Sequence, residues 1–416
     1  MKMTIIGGGS TYTPELVEGI GKYYPDLPFT ELCLMDINEQ RLEILGGLCR
    51  RMFAFQGLEV KVTLESDRRR ALQGAAFVNC LIRVGGMDAR IQDERIPLSF
   101  GLVGQETTGP GGMMKALRTI PVMLDLARDM EEVCPLAWLI NYTNPSGIMA
   151  EALGRYSQVR YVSLCSGPNH WISEILRLMN ADPACATVDW VGLNHLGFAI
   201  RVFVDGIDKT GDAIEAVADE WPIDGEWIRT LGAIPATYLR YFYHPDRVVG
   251  EAQQPGFLTR GEQVKQIEAR LLAEYADPRL CEKPQLLTQR GGGGYSEVAF
   301  GTMRAIRHNS SDRQVVQVLN QGAVDGLPED ASMELTCLVD ALGPHPIRLG
   351  EIPLGIRGLI QTVKAYESLT VEAAVTGSRQ LAMQALMSNP LVPTWDVAKP
   401  LLEALLKANR PWLPWA

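Results

Sequence analysis

The sequence predicts an α/β protein that opens with a doubly wound, Rossmann-like parallel sheet. Three observations predict this fold: short apolar runs alternate with helical patterns, the first run enters a glycine-rich turn, and an acidic residue follows the second run. The predicted strands cover residues 2–6, 31–35, 60–64, 76–82, 136–140 and 161–164. We therefore expect an NAD-binding domain over 1–166 and a mixed α+β domain over 167–416.

The glycine-rich turn is the most specific local feature of the first domain. The first strand runs into Gly7-Gly8-Gly9-Ser10, and Thr13-Pro14 then predicts a helix start with threonine as the N-cap. Glycines let such a turn fold tightly and bring N–H groups against a pyrophosphate, while the positive end of the helix faces its charge. Tyr12 stands where the usual fingerprint has its third glycine. The predicted cofactor contacts are Gly7, Gly9, Ser10 and Thr11.

Asp36 indicates which dinucleotide this turn would bind. It follows the second apolar run, where dinucleotide-binding folds place a carboxylate for the ribose hydroxyls. A carboxylate there favours NAD over NADP, because it would repel a 2′-phosphate. A glycine-rich turn alone is more often a plain tight turn, but the strand, the helix start and Asp36 together favour a cofactor site.

The composition narrows the class of protein. The chain has 416 residues, of which 46% are hydrophobic, so it can bury a large core. Its formal net charge of −10 argues against a nucleic-acid partner, because such binding depends on clustered Lys and Arg. No stretch of roughly 18 residues is free of charges and no export leader precedes the first strand, so we expect a cytoplasmic protein without a membrane partner. The eight cysteines lack paired spacing and are expected to be mostly core residues.

The second half has no regular alternation of strand and helix. We predict a strand near 197–204 and helices near 263–275, 361–375, 379–388 and 398–409. No internal repeat or long linker separates the two halves, so they are expected to pack tightly against each other.

Polar residues follow three predicted strands of the first domain, at the sheet edge that forms the ligand crevice in open α/β folds. Arg83 follows strand 76–82, Asn144 lies in the loop after strand 136–140, and Cys165 follows strand 161–164. Arg83 in a surface salt bridge and Asn144 as a helix cap are the plainer interpretations. Their positions at strand ends favour a role in binding substrate. Residues 104–112 form another glycine-rich segment, which is either a loop that closes over substrate or a connector.

His195 is a candidate metal ligand together with Cys165. It lies at the start of an apolar strand, where a lone histidine is more often a hydrogen-bonded core residue. Two protein ligands would leave the remaining coordination positions to water or substrate oxygens, as a catalytic ion requires. The residues alone leave both interpretations of His195 open.

Further motifs follow one another in order along nearly the whole chain. They are Gly7–Leu16, Arg83-Val84-Gly85-Gly86, Asp93–Leu98, Gly104–Gly109, Ala116–Val122, Asn144-Pro145-Ser146-Gly147, Gly192-Leu193-Asn194-His195, Tyr238-Leu239-Arg240-Tyr241 and Arg290-Gly291-Gly292. With these motifs the chain resembles the NAD-dependent family 4 glycoside hydrolases, most closely their 6-phospho-β-glucosidase branch. That family is an exception to the two-carboxylate mechanism of glycoside hydrolysis.

The resemblance implies roles for particular residues. Cys165 and His195 match the family's divalent-metal ligands, usually associated with manganese, and Tyr238 matches its base. Asn144 matches a position that contacts the sugar. Arg90 and Arg260 match arginines that hold the 6-phosphate, for which a guanidinium fork is well suited. Without the resemblance, the default interpretation of Tyr238 is half-buried packing.

The resemblance also implies a reaction and an assembly. NAD⁺ takes hydride from carbon 3 of a 6-phospho-β-glucoside, a base removes the acidified proton on carbon 2, and the metal stabilises the enediolate as a Lewis acid. The aglycone leaves, water adds, and NADH returns the hydride. Family members are commonly dimers or tetramers, so a homodimer or homotetramer is expected.

Two positions depart from the family pattern. Ser166 follows the metal-binding cysteine where the β-branch has asparagine and an α-branch aspartate. Glu262 stands two residues after Arg260, where a second arginine is frequent, and a carboxylate beside a phosphate is unfavourable. These departures leave open a 6-phospho-α-glycoside or a uronide as substrate. A plain NAD-dependent sugar or hydroxy-acid dehydrogenase and a catalytically inactive NAD sensor are the other classes.

Overall fold

The computed structural model describes residues 1–291 and 293–415, so Gly292 of the Arg290 motif lies outside the described residues. The predicted doubly wound domain is confirmed. Its six strands are parallel and lie in the order β3-β2-β1-β4-β5-β6, the usual order of a dinucleotide-binding sheet. They are β1 (Lys2–Ile6), β2 (Glu31–Met35), β3 (Lys61–Glu65), β4 (Ala75–Cys80), β5 (Trp138–Asn141) and β6 (Arg160–Ser163).

Helices connect these strands and cover the sheet. They are α1 (Thr13–Tyr23), α2 (Glu39–Phe55), α3 (Arg68–Leu72), α4 (Gly86–Ser99), α5 (Gly109–Val133) and α6 (Ser146–Tyr156). The inner strands β1, β2, β4 and β5 are mostly apolar, and Met3, Ile5 and Leu34 are fully buried. A sheet covered on both faces requires this pattern, because no face of the strand meets water.

Both predicted N-caps are wrong by one residue. Thr13 is the first residue of α1 rather than its cap, and its hydroxyl donates to the carbonyl of Gly8 at 2.9 Å. Helix α6 begins at Ser146 with Pro145 as the N-cap, after a cis bond between Asn144 and Pro145. Asn144 is thereby left in the loop, where its side chain is available to the crevice.

The second half extends the same sheet with antiparallel strands. Its strands are β7 (Ala186–Leu193), β8 (Leu196–Val204), β9 (Ile207–Asp208), β10 (Ile234–Pro235), β11 (Asp312–Leu319), β12 (Ser332–Asp340) and β13 (Gly343–Pro346). Strand β11 pairs with β6 through Gln317 and Ser163, and β12 and β7 follow outward. The described chain therefore has one continuous sheet across both halves. The division at residue 166 stays a prediction.

The remaining helices belong mostly to the second half. They are α7 (Gly167–Leu178), α8 (Thr210–Glu220), α9 (Gly225–Leu231), α10 (Arg240–Tyr243), α11 (Pro245–Ala252), α12 (Arg260–Tyr275), α13 (Tyr295–His308), α14 (Leu354–Thr376), α15 (Arg379–Ser388) and α16 (Trp395–Asn409). Short 3₁₀ helices cover Pro183–Cys185, Thr237–Leu239 and Gln285–Arg290. Helix α12 begins three residues before the predicted start because Thr259 and Glu262 form a capping box.

The helices and the cysteines concern two expectations about the chain as a whole. None of the helices in the described ranges is long and apolar enough to cross a membrane. Six of the eight cysteines are buried, and all eight are free thiols. The expectation that most cysteines are core residues is therefore confirmed, with Cys185 and Cys281 as the exceptions.

Candidate active site

A cavity of about 1190 Å³ lies at the carboxyl ends of the parallel strands and is lined by both halves of the chain. Ten of the predicted site residues line it: Gly7, Gly9, Ser10, Asp36, Arg83, Arg90, Asn144, His195, Tyr238 and Arg260. Cys165 and Thr11 are buried and do not line it. The fold thus brings the predicted cofactor turn and the predicted catalytic residues to one cleft.

The glycine turn is held against the end of β2. The amides of Gly7 and Gly8 both donate to the carbonyl of Met35, at 2.9 and 2.8 Å, and the amide of Gly9 donates to Oδ2 of Asp36 at 2.9 Å. A Cβ atom on Gly9 would lie 2.8 Å from that carboxylate oxygen, and Gly7 has φ +88°. The glycines are therefore required for the close approach of two strand ends, with Asp36 fixing the turn.

Thr11, the last of the predicted cofactor contacts, does not line the cavity. Its side chain is fully buried, and its hydroxyl donates to Oε1 of Glu268 at 3.2 Å, while its carbonyl accepts from the Tyr275 hydroxyl at 2.7 Å. Both partners lie on α12, so Thr11 ties the glycine turn to the second half of the chain. Its side chain packs against α12 and does not line the cavity. This contact between distant parts of the chain could not be predicted from the local sequence.

His195 lies in the tight connection between β7 and β8, with a left-handed φ of +66°. Its Nδ1 is 2.7 Å from the Thr107 hydroxyl, so this hydrogen bond engages Nδ1 and does not involve Nε2. Burial lowers the pKa of the imidazole to about 4, so the ring is neutral and keeps a nitrogen lone pair. A neutral imidazole fixed through one nitrogen is the usual state of a metal-binding histidine.

Cys165 follows β6 directly and precedes α7. Burial, followed by the negative charge of Glu334, raises the pKa of its thiol to about 12. Hydrogen bonds lower the same pKa to a smaller extent. They come from the amide of Gly167, which lies 3.4 Å from Sγ, and from the side chain of Asn194. The thiol is therefore protonated by itself, and a bound cation would be needed to make it a thiolate ligand.

The described residues contain no group of three or more His, Cys, Asp or Glu side chains arranged to hold a metal ion. A further oxygen lies close by: Oδ1 of Asn194 is buried and has no hydrogen-bond partner within residues 1–291 and 293–415. A buried oxygen of this kind suits a cation or a substrate hydroxyl.

Tyr238 is placed beside His195 by the edge of the sheet. Strand β10 pairs with β8, and the amide of Ala236 donates to the carbonyl of Gly197 at 2.8 Å, so the 3₁₀ turn with Tyr238 begins next to the β7–β8 connection. The rings of Tyr238 and His195 stack at 4.1 Å with 22° between their planes. Burial raises the pKa of the phenol above its ordinary value, with added effects from Cys165, Tyr241 and Glu106, whereas Arg260 lowers it.

Glu106 lines the cavity and forms ion pairs with three cationic side chains. This role was not predicted from the sequence. Its carboxylate lies 2.5 Å from Arg83, 3.1 Å from Arg90 and 2.7 Å from Lys115. Burial raises its pKa, but the three cations hold the pKa well below its usual range. The feature of the sequence that could have indicated this role is an acidic residue within the glycine-rich segment 104–112. That segment is a wall of the site, and through Thr107 it also positions His195.

Arg260 differs from these cations because no carboxylate contacts it among the residues that the structure describes. Its guanidinium donates to the carbonyl of Gln289 at 2.7 Å and to Oε1 of Gln263 at 3.3 Å. Burial and then the charges of Arg90 and Arg290 lower its pKa. An exposed arginine that lines the cavity close to two other arginines favours an anionic ligand.

The two departures from the family pattern face away from this cavity. The carboxylate of Glu262 accepts from Arg95 at 3.0 and 2.5 Å and from the amide of Thr259 at 2.8 Å, as the acidic residue of the capping box. It therefore does not oppose a phosphate at Arg260. Ser166 is the N-cap of α7, makes no capping hydrogen bond and does not line the cavity.

The comparisons with known proteins identify the family of this chain. A model described as family 4 glycosyl hydrolase matches residues 2–180, and a model of that family's C-terminal domain matches residues 190–392. This chain belongs to the family 4 glycosyl hydrolases. The resemblance expected from the sequence motifs is confirmed.

Individual relatives of this family 4 glycosyl hydrolase align over its whole length. A probable 6-phospho-beta-glucosidase of Bacillus subtilis is 42% identical, covering 100% of this chain and 97% of its own. The 6-phospho-beta-glucosidase of Escherichia coli is 37% identical, covering 100% and 96%. The structure of the Thermotoga maritima 6-phospho-beta glucosidase with manganese, NAD⁺ and glucose-6-phosphate is 33% identical, covers 99% of each chain and superposes with a TM-score of 0.93.

Proposed function

We propose that this family 4 glycosyl hydrolase cleaves 6-phospho-β-glucosides and depends on NAD⁺ and a divalent cation, which we propose to be manganese, as in the structure of its Thermotoga relative. One observation carries the proposal: a single cavity is lined by the glycine turn at one place and by His195, Tyr238 and Arg260 at another. A dinucleotide, a cation and a phosphorylated sugar would thus share one crevice. The β-linked substrate is preferred because the two relatives named first above are described as a probable 6-phospho-beta-glucosidase and a 6-phospho-beta-glucosidase.

The residues present fit both absent groups. Gly7, Gly9 and Ser10 would hold the pyrophosphate of NAD⁺, and Asp36 the adenosine ribose. Cys165 and His195 would hold the cation, because the imidazole is neutral and Asn194 offers a buried oxygen without a partner in the described chain. When bound, NAD⁺ would accept and return a hydride at carbon 3 of the sugar, and the cation would act as a Lewis acid.

Tyr238 is proposed to remove the proton from carbon 2 of the sugar. A phenol acts as a base only when ionised, and burial disfavours the ionised form of Tyr238. Positive charge beside it is therefore required. Arg260 supplies part of that charge, and the stacking on His195 would place the phenol next to the cation.

The arginines are proposed to bind and orient the substrate. Arg260 would bind the 6-phosphate together with Arg90, since Arg260 is free of carboxylates in the described chain and Arg90 lies near enough to affect its pKa. Arg83 and Arg90 are already neutralised in part by Glu106, which keeps the cluster from repelling itself before the substrate binds. Arg83 and Asn144 would contact the sugar from the strand ends.

The test uses chromogenic aryl glucosides in both anomers, each with and without a 6-phosphate, together with aryl glucuronides. Hydrolysis of the 6-phospho-β-glucoside alone, abolished by removing NAD⁺ or by a chelator, is the expected result. Accumulation of NADH in proportion to substrate would indicate a dehydrogenase instead. A preference for an α-glucoside or a uronide would keep the mechanism and replace the substrate.

Two further properties belong to the proposal. We propose a homodimer or homotetramer, to be measured by light scattering on the purified protein. We also propose that the protein acts in the cytoplasm, which cell fractionation with a phosphoglucosidase assay would test.

A further inference from the structure

Glu334 is a buried carboxylate behind the proposed cation site. It lies on β12 with 1% of its surface exposed, beside Gln317 of β11 and Gly192 of β7. Its Oε1 accepts from Nε2 of Gln317 at 2.7 Å and from Nδ2 of Asn194 at 3.3 Å. Its Oε2 accepts from the indole of Trp190 at 3.0 Å. Three donors thus fix this carboxylate in one orientation.

One of these contacts leads directly to the proposed metal ligands. Asn194 precedes His195 in the β7–β8 connection, and its side chain also acts on the thiol of Cys165 by hydrogen bonding. A carboxylate only accepts hydrogen bonds, so Glu334 requires the amide nitrogen of Asn194 to face it. The orientation of the amide group then directs Oδ1 away from Glu334, and Oδ1 is the buried atom without a partner in the described ranges.

A second contact leads to the proposed base. The indole of Trp190 stacks on that of Trp171 at 5.6 Å with 8° between the planes. Trp171 in turn meets the ring of Tyr238 edge to face at 5.8 Å. Anchoring Trp190 therefore restrains the wall against which Tyr238 packs.

Burial raises the pKa of Glu334 to about 7, and no direct ion pair in the described chain balances its charge when the carboxylate is ionised. Within residues 1–291 and 293–415, no Lys, Arg or His lies within ion-pair distance of it. The buried Lys364 pairs with Glu151 and Glu367 rather than with Glu334. An unpaired buried carboxylate is costly, and a nearby bound cation would offset that cost.

We propose that Glu334 is a positioning residue of the divalent-cation site, acting through Asn194 on Cys165 and His195 and contributing negative charge behind the ion. This inference rests on the proposed function, because it assumes that the cation binds there. Outer residues of this kind orient the ligands of a metal, and losing one typically weakens metal binding by about 10–100-fold.

The test measures Mn²⁺ binding by the full-length protein with NAD⁺ and glucose 6-phosphate present, from the electron paramagnetic resonance signal of free Mn²⁺. We expect Glu334→Gln and Asn194→Ala each to raise the Kd for Mn²⁺ by about 10-fold or more. The double variant should be little weaker than the weaker single variant, because both remove the same contact. The Kd for NAD⁺ without metal should be unchanged, which a general loss of structure would not allow.

Asp189→Asn is the matched control. Like Glu334, Asp189 is a buried acid, and it lies on β7 next to Trp190. Unlike Glu334, it pairs with Arg201 and Arg313, and none of its hydrogen bonds involves Asn194. Its variant should bind Mn²⁺ within about twofold of the wild type. If Glu334→Gln does not fold, Glu334→Asp, which draws the carboxylate back from Asn194, is measured in its place.

Two outcomes would overturn the inference and are distinguishable. Wild-type affinity for Mn²⁺ in Glu334→Gln, whatever the affinity of Asn194→Ala, would remove the positioning role and leave the proposed function intact. A wild-type protein that binds no Mn²⁺ would remove the proposed cation site, and this role with it.

Discussion

The ring of Tyr238 lies flat on the imidazole of His195, with their centroids 4.1 Å apart. The stacking joins a residue from the turn after β10 to one from the β7–β8 connection, and both line the same cavity as the glycine turn. It fixes the phenol beside a histidine that is neutral and held through Nδ1. The pair is therefore the most direct place to test the proposed chemistry.

Replacing Tyr238 with Phe keeps the stacked ring and removes only the hydroxyl. We expect kcat to fall by about 100-fold or more, as for loss of a positioned base, while the Kd for NAD⁺ stays the same. Tyr243→Phe is the control, since Tyr243 packs against Trp227 at 4.9 Å and does not line the cavity. If Tyr238→Phe is fully active and Tyr241→Phe is not, the base is Tyr241.

The glycine turn gives a second prediction. Gly9→Ala would place a Cβ atom 2.8 Å from Oδ2 of Asp36 and 3.0 Å from Cβ of Arg41, so the turn must move away from β2. We expect the Kd for NAD⁺, measured by calorimetry, to rise by about 10-fold or more, equivalent to about 1.4 kcal/mol. Gly211→Ala, where no atom lies within 4 Å, should bind NAD⁺ normally. Equal affinity in the two variants would contradict the role of the turn.

Arg260 and Glu262 can be compared directly, because they lie two residues apart but face different partners. Arg260→Gln should raise KM for a phosphorylated substrate by about 10–100-fold, the value of a charge-assisted hydrogen bond, with little effect on an unphosphorylated one. Glu262→Gln should leave KM unchanged, since its carboxylate contacts Arg95. A lower KM in Glu262→Gln would show that this acid does oppose the phosphate.

The ion pairs of Glu106 give a prediction about the stability of the protein and about how that stability depends on pH. Glu106→Gln would leave Arg83, Arg90 and Lys115 without their shared carboxylate, so the free energy of unfolding in urea should fall by about 3 kcal/mol or more at pH 7. Because the pKa of Glu106 is lowered in the folded state, this contribution is complete above the unfolded pKa of about 4.3 and is lost as the pH falls below it. The difference from wild type should therefore shrink in acid.

A surface acid serves as the control for Glu106. Glu132 pairs with Arg69, and both side chains are at least half exposed. Glu132→Gln should change the free energy of unfolding by less than about 0.5 kcal/mol at any pH tested. An equally small effect of Glu106→Gln would mean that the three cations are stabilised without it.

The sequence by itself determined the first domain and most of the cleft. Apolar runs such as Lys2–Ile6 and Glu31–Met35 are local signals of buried parallel strands, so their bounds were predicted to within a residue or two. The Gly7–Ser10 turn and the residues at strand ends follow from that sheet, since parallel strands present their carboxyl ends at one edge. The site roles of Tyr238, Cys165 and His195 needed the ordered motifs and the family resemblance as well.

Only the tertiary structure decided how distant polar residues meet. Thr107 reaches His195 across 88 positions of the sequence, and Asn194 reaches Glu334 across 140. The burial of Thr11 against α12 and the turning of Glu262 toward Arg95 depend likewise on contacts between the two halves. Local patterns encode which face of a strand or helix is apolar, but a hydrogen bond between buried polar groups depends on the packing that brings them together.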